Sequence, residues 1–174
     1  DPDDEMDAKT VGTLFHKALQ LFYDNEVAIN AGAVMLRAGD LDAALPRLHA
    51  ALDVALTEMG DTSWLGNPVM AGAKRMELRR TLTRFLEFEV AYNDSRFNNR
   101  TNAAYEVRTA VQRHELALDD AVLDRGGVRL RYRGTIDRVE VGRDDRVPSS
   151  HYVAAVDYKT GKYSAPGGGK KEAW

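Results

Sequence analysis

The sequence predicts an α+β domain with a mainly helical first part, residues 1–95, and a sheet-bearing second part, residues 96–174. Up to residue 92, apolar residues recur every three or four positions, which is typical of amphipathic helices. After residue 104 they alternate with polar residues, as in strands with one face against a core. A chain of 174 residues is long enough for one domain with a sizeable core.

The composition is that of an ordinary globular protein, with 44% hydrophobic and 29% charged residues and a net charge of −3. Cysteine is absent, which excludes disulfides and thiolate metal sites and favours a cytoplasmic location. No apolar run is long enough to cross a bilayer, so no membrane association is expected. The net charge does not exclude a nucleic-acid substrate, because a negative pocket can lie within a basic surface.

Three helices are expected in the first part. The first is capped by Asp7 or Thr10, the second spans residues 41–59, and the third spans residues 68–92. Residues 93–102, rich in Asn and Arg, are expected to form a linker. The apolar positions of the third helix, expected to face inward, are Val69, Ala73, Met76, Leu82, Phe85, Leu86 and Val90.

The third helix also carries a basic face, formed by Lys74, Arg75, Arg79, Arg80 and Arg84. A face of this kind is most often a solvated helix surface. The same cations could also follow the phosphates of a DNA backbone. The sequence leaves both interpretations open.

Two histidines lie on the predicted helices. His16 follows Gly12 by one helical turn, and a glycine there leaves room for another element or a ligand to approach. An exposed helix histidine is the ordinary interpretation of His16 when the residue is considered alone. His49 is interpreted as a surface or packing residue.

The second part is expected to begin with a strand at residues 104–108 that continues or forms a hairpin through residue 118. A turn at residues 124–127 precedes a second strand, which starts at Val128. The apolar alternation of that strand changes phase near Asp137, which predicts a β-bulge there. A hairpin loop at residues 142–150 and a strand at residues 152–159 complete the sheet.

Three charged residues in these strands form a candidate catalytic set. Asp157 and Lys159 project from one face of a strand, roughly 7 Å apart, because side chains alternate along it. Asp137 lies on an earlier strand that could lie alongside. Two carboxylates and an ammonium can hold a divalent cation and orient a water molecule against a phosphodiester.

Asp137 followed by Asp157-x-Lys159 resembles the PD-(D/E)xK nuclease signature. The longer segments Gly134-Thr-Ile-Asp-Arg-Val and Asp157-Tyr-Lys-Thr-Gly-Lys are similar to the branch found in RecB-type helicase–nuclease subunits. That branch has a histidine on an N-terminal helix, which Gly12-Thr-Leu-Phe-His resembles. The resemblance implies a restriction-endonuclease-like fold, in which helices flank a mixed central β-sheet, over the single domain 1–174.

The resemblance also implies a metal-dependent DNA nuclease, acting as an exonuclease or single-strand nuclease in DNA repair and recombination. Its catalytic residues would be Asp137, Asp157 and Lys159. Mg²⁺ or Mn²⁺ would be bound by the two aspartates, by His16 and by the backbone carbonyl of Tyr158. Glu106, on the first predicted strand, could ligate the cation, bind one of its waters or pair with an arginine.

The implied partners are single-stranded DNA or duplex ends, and a helicase motor outside this segment. RecB-type nucleases usually carry a Gln-x-x-x-Tyr helix after the lysine, which the sequence lacks, so we expect a fragment of a larger protein. Without cysteines, the segment holds no iron–sulfur cluster. Two alternatives stay open: a catalytically inactive nuclease-fold module that binds DNA or a partner subunit, and an unrelated α/β domain with a chance match.

Overall fold

A computed structural model describes residues 8–60, 67–98, 107–144 and 147–158. Three long helices precede three strands, which confirms the predicted α+β class. The elements are α1 (Ala8–Ile29), a 3₁₀ turn (Ala38–Asp40), α2 (Leu41–Met59), α3 (Pro68–Asn98), β1 (Val107–Arg125), β2 (Val128–Asp144) and β3 (Val147–Val156). Within these ranges, no helix has the length and apolar character needed to cross a membrane.

The chain divides into two compact units, and the first contains residues 1–22, 36–101 and 158–174. Its helices bury leucines and alanines at helical spacing, as expected for amphipathic helices with one face in a core. A 3.1 Å ion pair between Lys17 and Glu58 links α1 to α2. The buried residues of this unit include Leu14, Ala18 and Phe22 of α1, Ala44, Leu48, Leu52 and Leu56 of α2, and Leu78, Leu82, Leu86 and Val90 of α3.

Helix α2 has the predicted bounds, whereas α3 is longer than predicted. The linker expected at residues 93–102 was wrong for its first part, because α3 continues to Asn98. The amide of Asn93 donates a 3.0 Å hydrogen bond to the carbonyl of Leu36, and the carboxylate of Asp94 accepts one of 2.8 Å from Arg37. These contacts with the segment before α2 stabilise an extra helical turn that local propensity does not favour.

The face that α3 buries also differs in part from the prediction. Val69 and Met76 were expected to face inward, but their exposed fractions are 80% and 65%. The phase of the helix is set instead by the buried leucines at positions 78, 82 and 86, which recur every four residues. In this phase Arg79, predicted on the outer face, reaches Asp53 of α2.

The second unit contains residues 23–35 and 102–157, including the last two turns of α1. Its three strands form an antiparallel sheet in the order β1-β2-β3. The predicted turn is confirmed: Gly126 and Gly127 have φ values of 60° and 78° and join the paired residues Arg125 and Val128. Two positive φ values in a two-residue loop are typical of a type I′ hairpin, which favours glycine.

One strand prediction was wrong in its limits. Strand β3 spans residues 147–156 rather than 152–159, so most of the expected hairpin loop is strand. Residues 104–106, predicted to start the first strand, lie outside the described residues, and the rest of that strand is one long element, β1. The polar residues Ser149, Ser150 and His151 gave no strand signal, but β3 is paired on both sides of the two serines, through Val147 with Asp144 and through His151 with Arg143.

The β-bulge predicted at Asp137 is not seen in the described part of β2. Both register irregularities of the β1–β2 pair involve a longer β1 segment, between Val111 and Arg113 and between Leu118 and Ala121. The apolar alternation changes phase near Asp137 for another reason. Residues 137–140 are all buried, so both faces of β2 are covered there and apolar parity no longer reports which face is inside.

Candidate active site

The two predicted catalytic aspartates lie at the same end of the β2–β3 ladder. The last paired residues at that end are Arg138 and Val156, and Asp137 and Asp157 are the next residues along the two chains, so continuation of this register would set them opposite each other. Directly opposite residues of an antiparallel pair project from one face, with Cβ atoms about 4.5–5.5 Å apart. Asp137 is buried, whereas Asp157 lies just past the end of β3 and is exposed. One buried and one accessible carboxylate therefore lie at this end of the ladder.

Contacts on the opposite face of the sheet hold the part of β2 that carries Asp137. Arg138 and Glu140 alternate with Asp137 and are buried, with exposed fractions of 8% and 9%. Arg138 donates a 2.7 Å hydrogen bond to Glu140 and a 3.3 Å hydrogen bond to the hydroxyl of Tyr23. Its guanidinium also lies 5.4 Å from the centre of the Tyr23 ring, within cation–π range. These contacts join β2 to the last turns of α1 within the second unit.

Sequence reasoning missed this cluster. Arg138 was noted only as part of the motif Gly134-Thr-Ile-Asp-Arg-Val, and no role was predicted for Tyr23. One signal was available: opposite charges at positions 138 and 140 of a strand share a face and can pair there. The contact between Tyr23 and Arg138 joins residues 115 positions apart and had no local signal.

Gly134, three residues before Asp137, has a backbone conformation that other residues rarely adopt. Its φ is +153°, and it pairs with Leu118, next to the second register irregularity of the β1–β2 pair. No neighbouring atom lies within 4 Å of the position that a Cβ would take. The glycine of the motif is therefore required by the backbone angle and not by crowding.

Two other predicted site residues, His16 and Tyr158, contact each other within the first unit. The half-buried imidazole of His16 meets the Tyr158 ring edge-on, with centroids 5.9 Å apart and planes at 85°. Phe85 makes a similar contact with Tyr158 at 5.5 Å. Tyr158 directly follows Asp157 in the chain. Phe85 and the Tyr158 ring were not predicted to take part in the site, and no local pattern marks their contact.

Lys159 and Glu106, the remaining predicted site residues, lie outside the described residues. Among the residues that the structure does describe, no group of three or more His, Asp or Glu side chains is arranged to hold a metal ion. The pair Asp137 and Asp157 fits the chemistry of Mg²⁺, which commonly takes one or two protein carboxylates and completes its shell with water and substrate phosphate. The ligand roles of the predicted residues stay predictions.

The chain was compared with known protein families, curated proteins and solved structures. The family model of the PD-(D/E)XK nuclease superfamily matches residues 1–173. No significant match was found among curated proteins or among solved structures. The family match covers the helical and the sheet-bearing parts alike, and it includes both aspartates at the end of the β2–β3 ladder. The chain therefore belongs to the PD-(D/E)XK nuclease superfamily.

Proposed function

We propose that the chain is a Mg²⁺- or Mn²⁺-dependent deoxyribonuclease domain of a RecB-like helicase–nuclease, acting on single strands or duplex ends. The family supports a nuclease. One structural observation supports the metal-dependent chemistry: Asp137 and Asp157 lie at the same end of the β2–β3 ladder, each one residue beyond its last pair. Two carboxylates at one end of a ladder could share a hard cation, whose charge would offset the repulsion between them.

In the proposed reaction, the side chains of this chain bind the cation, orient the attacking water and stabilise negative charge. Asp137 and Asp157 supply carboxylate oxygens, and His16 and the carbonyl of Tyr158 are the further ligands. When bound, the cation would lower the pKa of a coordinated water and offset charge on the phosphate. Lys159, two residues after Asp157 in the chain, would use its positive charge to hold the water or the developing anion. The water oxygen bonds to phosphorus as the water loses a proton, the bond from phosphorus to the 3′ oxygen breaks, and that oxygen takes up a proton, which leaves a 3′-hydroxyl and a 5′-phosphate.

The edge-on contact between the rings of His16 and Tyr158 supports the proposal that both residues are ligands of the same cation. An imidazole held by a ring at 5.9 Å has fewer orientations available than a free surface histidine, which lowers the entropy lost on ligation. Imidazole also favours Mn²⁺ over Mg²⁺. We therefore expect His16→Ala to weaken the use of Mn²⁺ more than it weakens folding. A Mn²⁺ titration of activity that matches the unsubstituted chain would remove His16 from the ligand set.

A nuclease assay tests the proposal directly. The 174-residue chain is incubated with a labelled single-stranded oligonucleotide and Mn²⁺, with and without EDTA. We expect cleavage only without EDTA, with 5′-phosphate ends. Asp137→Asn, Asp157→Asn and Lys159→Ala should each lower the rate by about 10²-fold or more, because each removes several kcal/mol of transition-state stabilisation.

A matched control is Asp124→Asn, which removes an exposed carboxylate from the same sheet, paired with Arg129 at 3.0 Å. This variant should cleave at the unsubstituted rate. If the unsubstituted chain does not cleave but binds the oligonucleotide, the catalytically inactive binding module is the correct alternative. Cleavage that persists in EDTA, or in Asp137→Asn, would show that the carboxylate pair is not the catalytic centre.

A further inference from the structure

The solvent-facing side of α3 carries two arginines and two aromatic rings at four-residue spacing. Arg80, Arg84, Phe88 and Tyr92 follow one another about one turn apart along one broad side of the helix, because positions four apart are neighbours on its surface. All four are exposed, and the exposed fractions of Phe88 and Tyr92 are 44% and 49%. We call these four residues the outer strip. It lies on the side of α3 opposite Leu82 and Leu86, which are buried.

The two rings of the outer strip form an exposed stacking surface. The centroids of Phe88 and Tyr92 are 6.3 Å apart and their planes differ by only 15°. Two nearly parallel aromatic rings present flat faces of the kind on which nucleobases stack.

The arginines of the outer strip differ from the other arginines of the first unit. Arg75 and Arg79 pair with Asp53, and Arg37 pairs with Asp94. In contrast, Arg80 and Arg84 form no ion pair with any of the residues that the structure describes. Their Cα atoms lie about 6 Å apart along the helix axis, at about 1.5 Å per residue, so the two side chains can reach successive phosphates.

The carboxylates beside the outer strip favour a single-stranded ligand over a duplex. Glu77 and Glu87 are exposed and lie three residues from Arg80 and Arg84, so the face is not continuously positive. A duplex along the helix would bring two rows of phosphates towards these carboxylates and would offer no free base to the rings. A single strand places its bases on Phe88 and Tyr92 and needs phosphate contacts only at the two arginines.

We propose that the outer strip of α3 binds single-stranded polynucleotide. The inference deepens the proposed nuclease function, on which it rests, by naming a surface, away from the carboxylate pair in sequence, that holds the substrate strand. Binding of this kind needs no divalent cation. It is therefore measurable under conditions in which the nuclease is silent.

The experiment is fluorescence anisotropy of a labelled oligothymidine in EDTA, with a duplex of the same length as competitor. The 174-residue chain should bind the labelled single strand, and the duplex competitor should displace little of it. Phe88→Ala with Tyr92→Ala should weaken binding by about tenfold or more. Arg80→Gln with Arg84→Gln should weaken binding at low salt. It should also make the slope of log K against log salt shallower by about 1.4, because each phosphate that an arginine neutralises contributes about 0.7 to that slope.

The control is Val69→Ala with Met76→Ala, which removes two exposed apolar side chains from the same helix but outside the outer strip. This variant should bind oligothymidine like the unsubstituted chain. Equal weakening in the control and the ring variant, or unchanged binding by the ring variant, would overturn the proposal and favour a protein partner for this face. A chain that binds through the strip but never cleaves with Mn²⁺ would contradict only the proposed nuclease function.

Discussion

The guanidinium of Arg138 donates a 3.3 Å hydrogen bond to the hydroxyl of Tyr23, so a strand residue next to Asp137 is held by the last turns of α1. The same guanidinium binds Glu140 at 2.7 Å, and all three side chains are buried. A buried ion pair is costly to break from one side, because the charge that remains has been removed from water. This cluster is therefore the part of the sheet in which single substitutions are expected to matter most.

Arg138→Met should destabilise the chain by about 3–5 kcal/mol, because the buried Glu140 loses the cation that it binds. Tyr23→Phe should cost only about 0.5–1.5 kcal/mol, since it removes one hydrogen bond and keeps the ring. Urea unfolding measures both. Arg129→Met is the matched control, because its pair with Asp124 is exposed, and it should change stability by less than about 1 kcal/mol. Equal effects of Arg138→Met and Arg129→Met would contradict the role of burial.

A second prediction concerns the carboxylate pair and does not depend on catalysis. A cation that binds only the folded chain stabilises it by about 2.7 kcal/mol at a concentration about 100 times its Kd. Adding Mn²⁺ should therefore raise the Tm of the unsubstituted chain, and EDTA should reverse the rise. Asp137→Asn and Asp157→Asn should lose the response, because each removes a carboxylate from the pair.

Asp124→Asn is again the control for this measurement, and its Tm should rise with Mn²⁺ as in the unsubstituted chain. An unchanged Mn²⁺ response in both Asn variants would place the cation elsewhere.

Part of this structure could be predicted from local pattern, and part could not. Helix α2 had clear limits, because its leucines and alanines keep one helical phase and Gly60, with φ of 70°, ends it. The last turn of α3 depends on hydrogen bonds that join Asn93 and Asp94 to the segment at residues 36–38, which no local signal reveals. Tertiary contacts outweighed weak helix propensity there.

The same contrast holds for the candidate site. Asp137 and Asp157 could be named from their motif, but their placement at one end of the ladder depends on the register of β2 and β3. The sequence pattern could not predict that register, because β2 is buried on both faces around Asp137 and the alternation of apolar residues no longer shows which face is inside. It could not predict the contact between Tyr23 and Arg138 either, because the two residues are far apart in the sequence. Motif wording thus identified candidate chemical groups, while pairing and packing determined their surroundings.

A third prediction separates backbone strain from crowding at two glycines. Neither Gly134 nor Gly72 has an atom within 4 Å of the place where a Cβ would be added. Gly134→Ala should nevertheless cost about 1–3 kcal/mol, because an L residue is strained at φ of +153°. Gly72→Ala should stabilise the chain by up to about 1 kcal/mol, since Gly72 lies inside α3 and is exposed. Denaturation midpoints that shift in the same direction in both variants would rule out this explanation.

A fourth prediction follows from the environment of His49, whose ring lies 2.9 Å from the hydroxyl of Thr83 between α2 and α3. Burial lowers the pKa of His49 below its ordinary value of 6.5, and the charge of Arg79 lowers it further, while Asp53 acts in the opposite direction. The folded chain therefore favours the neutral imidazole. The stability that the chain gains from holding His49 in its neutral form is complete above pH 6.5. It is lost as the pH falls from there through the folded-state pKa.

His49→Gln keeps a hydrogen-bonding group near Thr83 but removes the titration. Urea midpoints of both chains should be measured from about pH 7.5 to about pH 5.5, a range that spans the ordinary histidine pKa. The unsubstituted chain should lose more stability than His49→Gln as the pH falls, because only it must protonate a group that folding keeps neutral. The other histidines are present in both chains, so their titration cancels in the difference. Parallel curves would show that His49 has the same proton affinity in the folded and unfolded states.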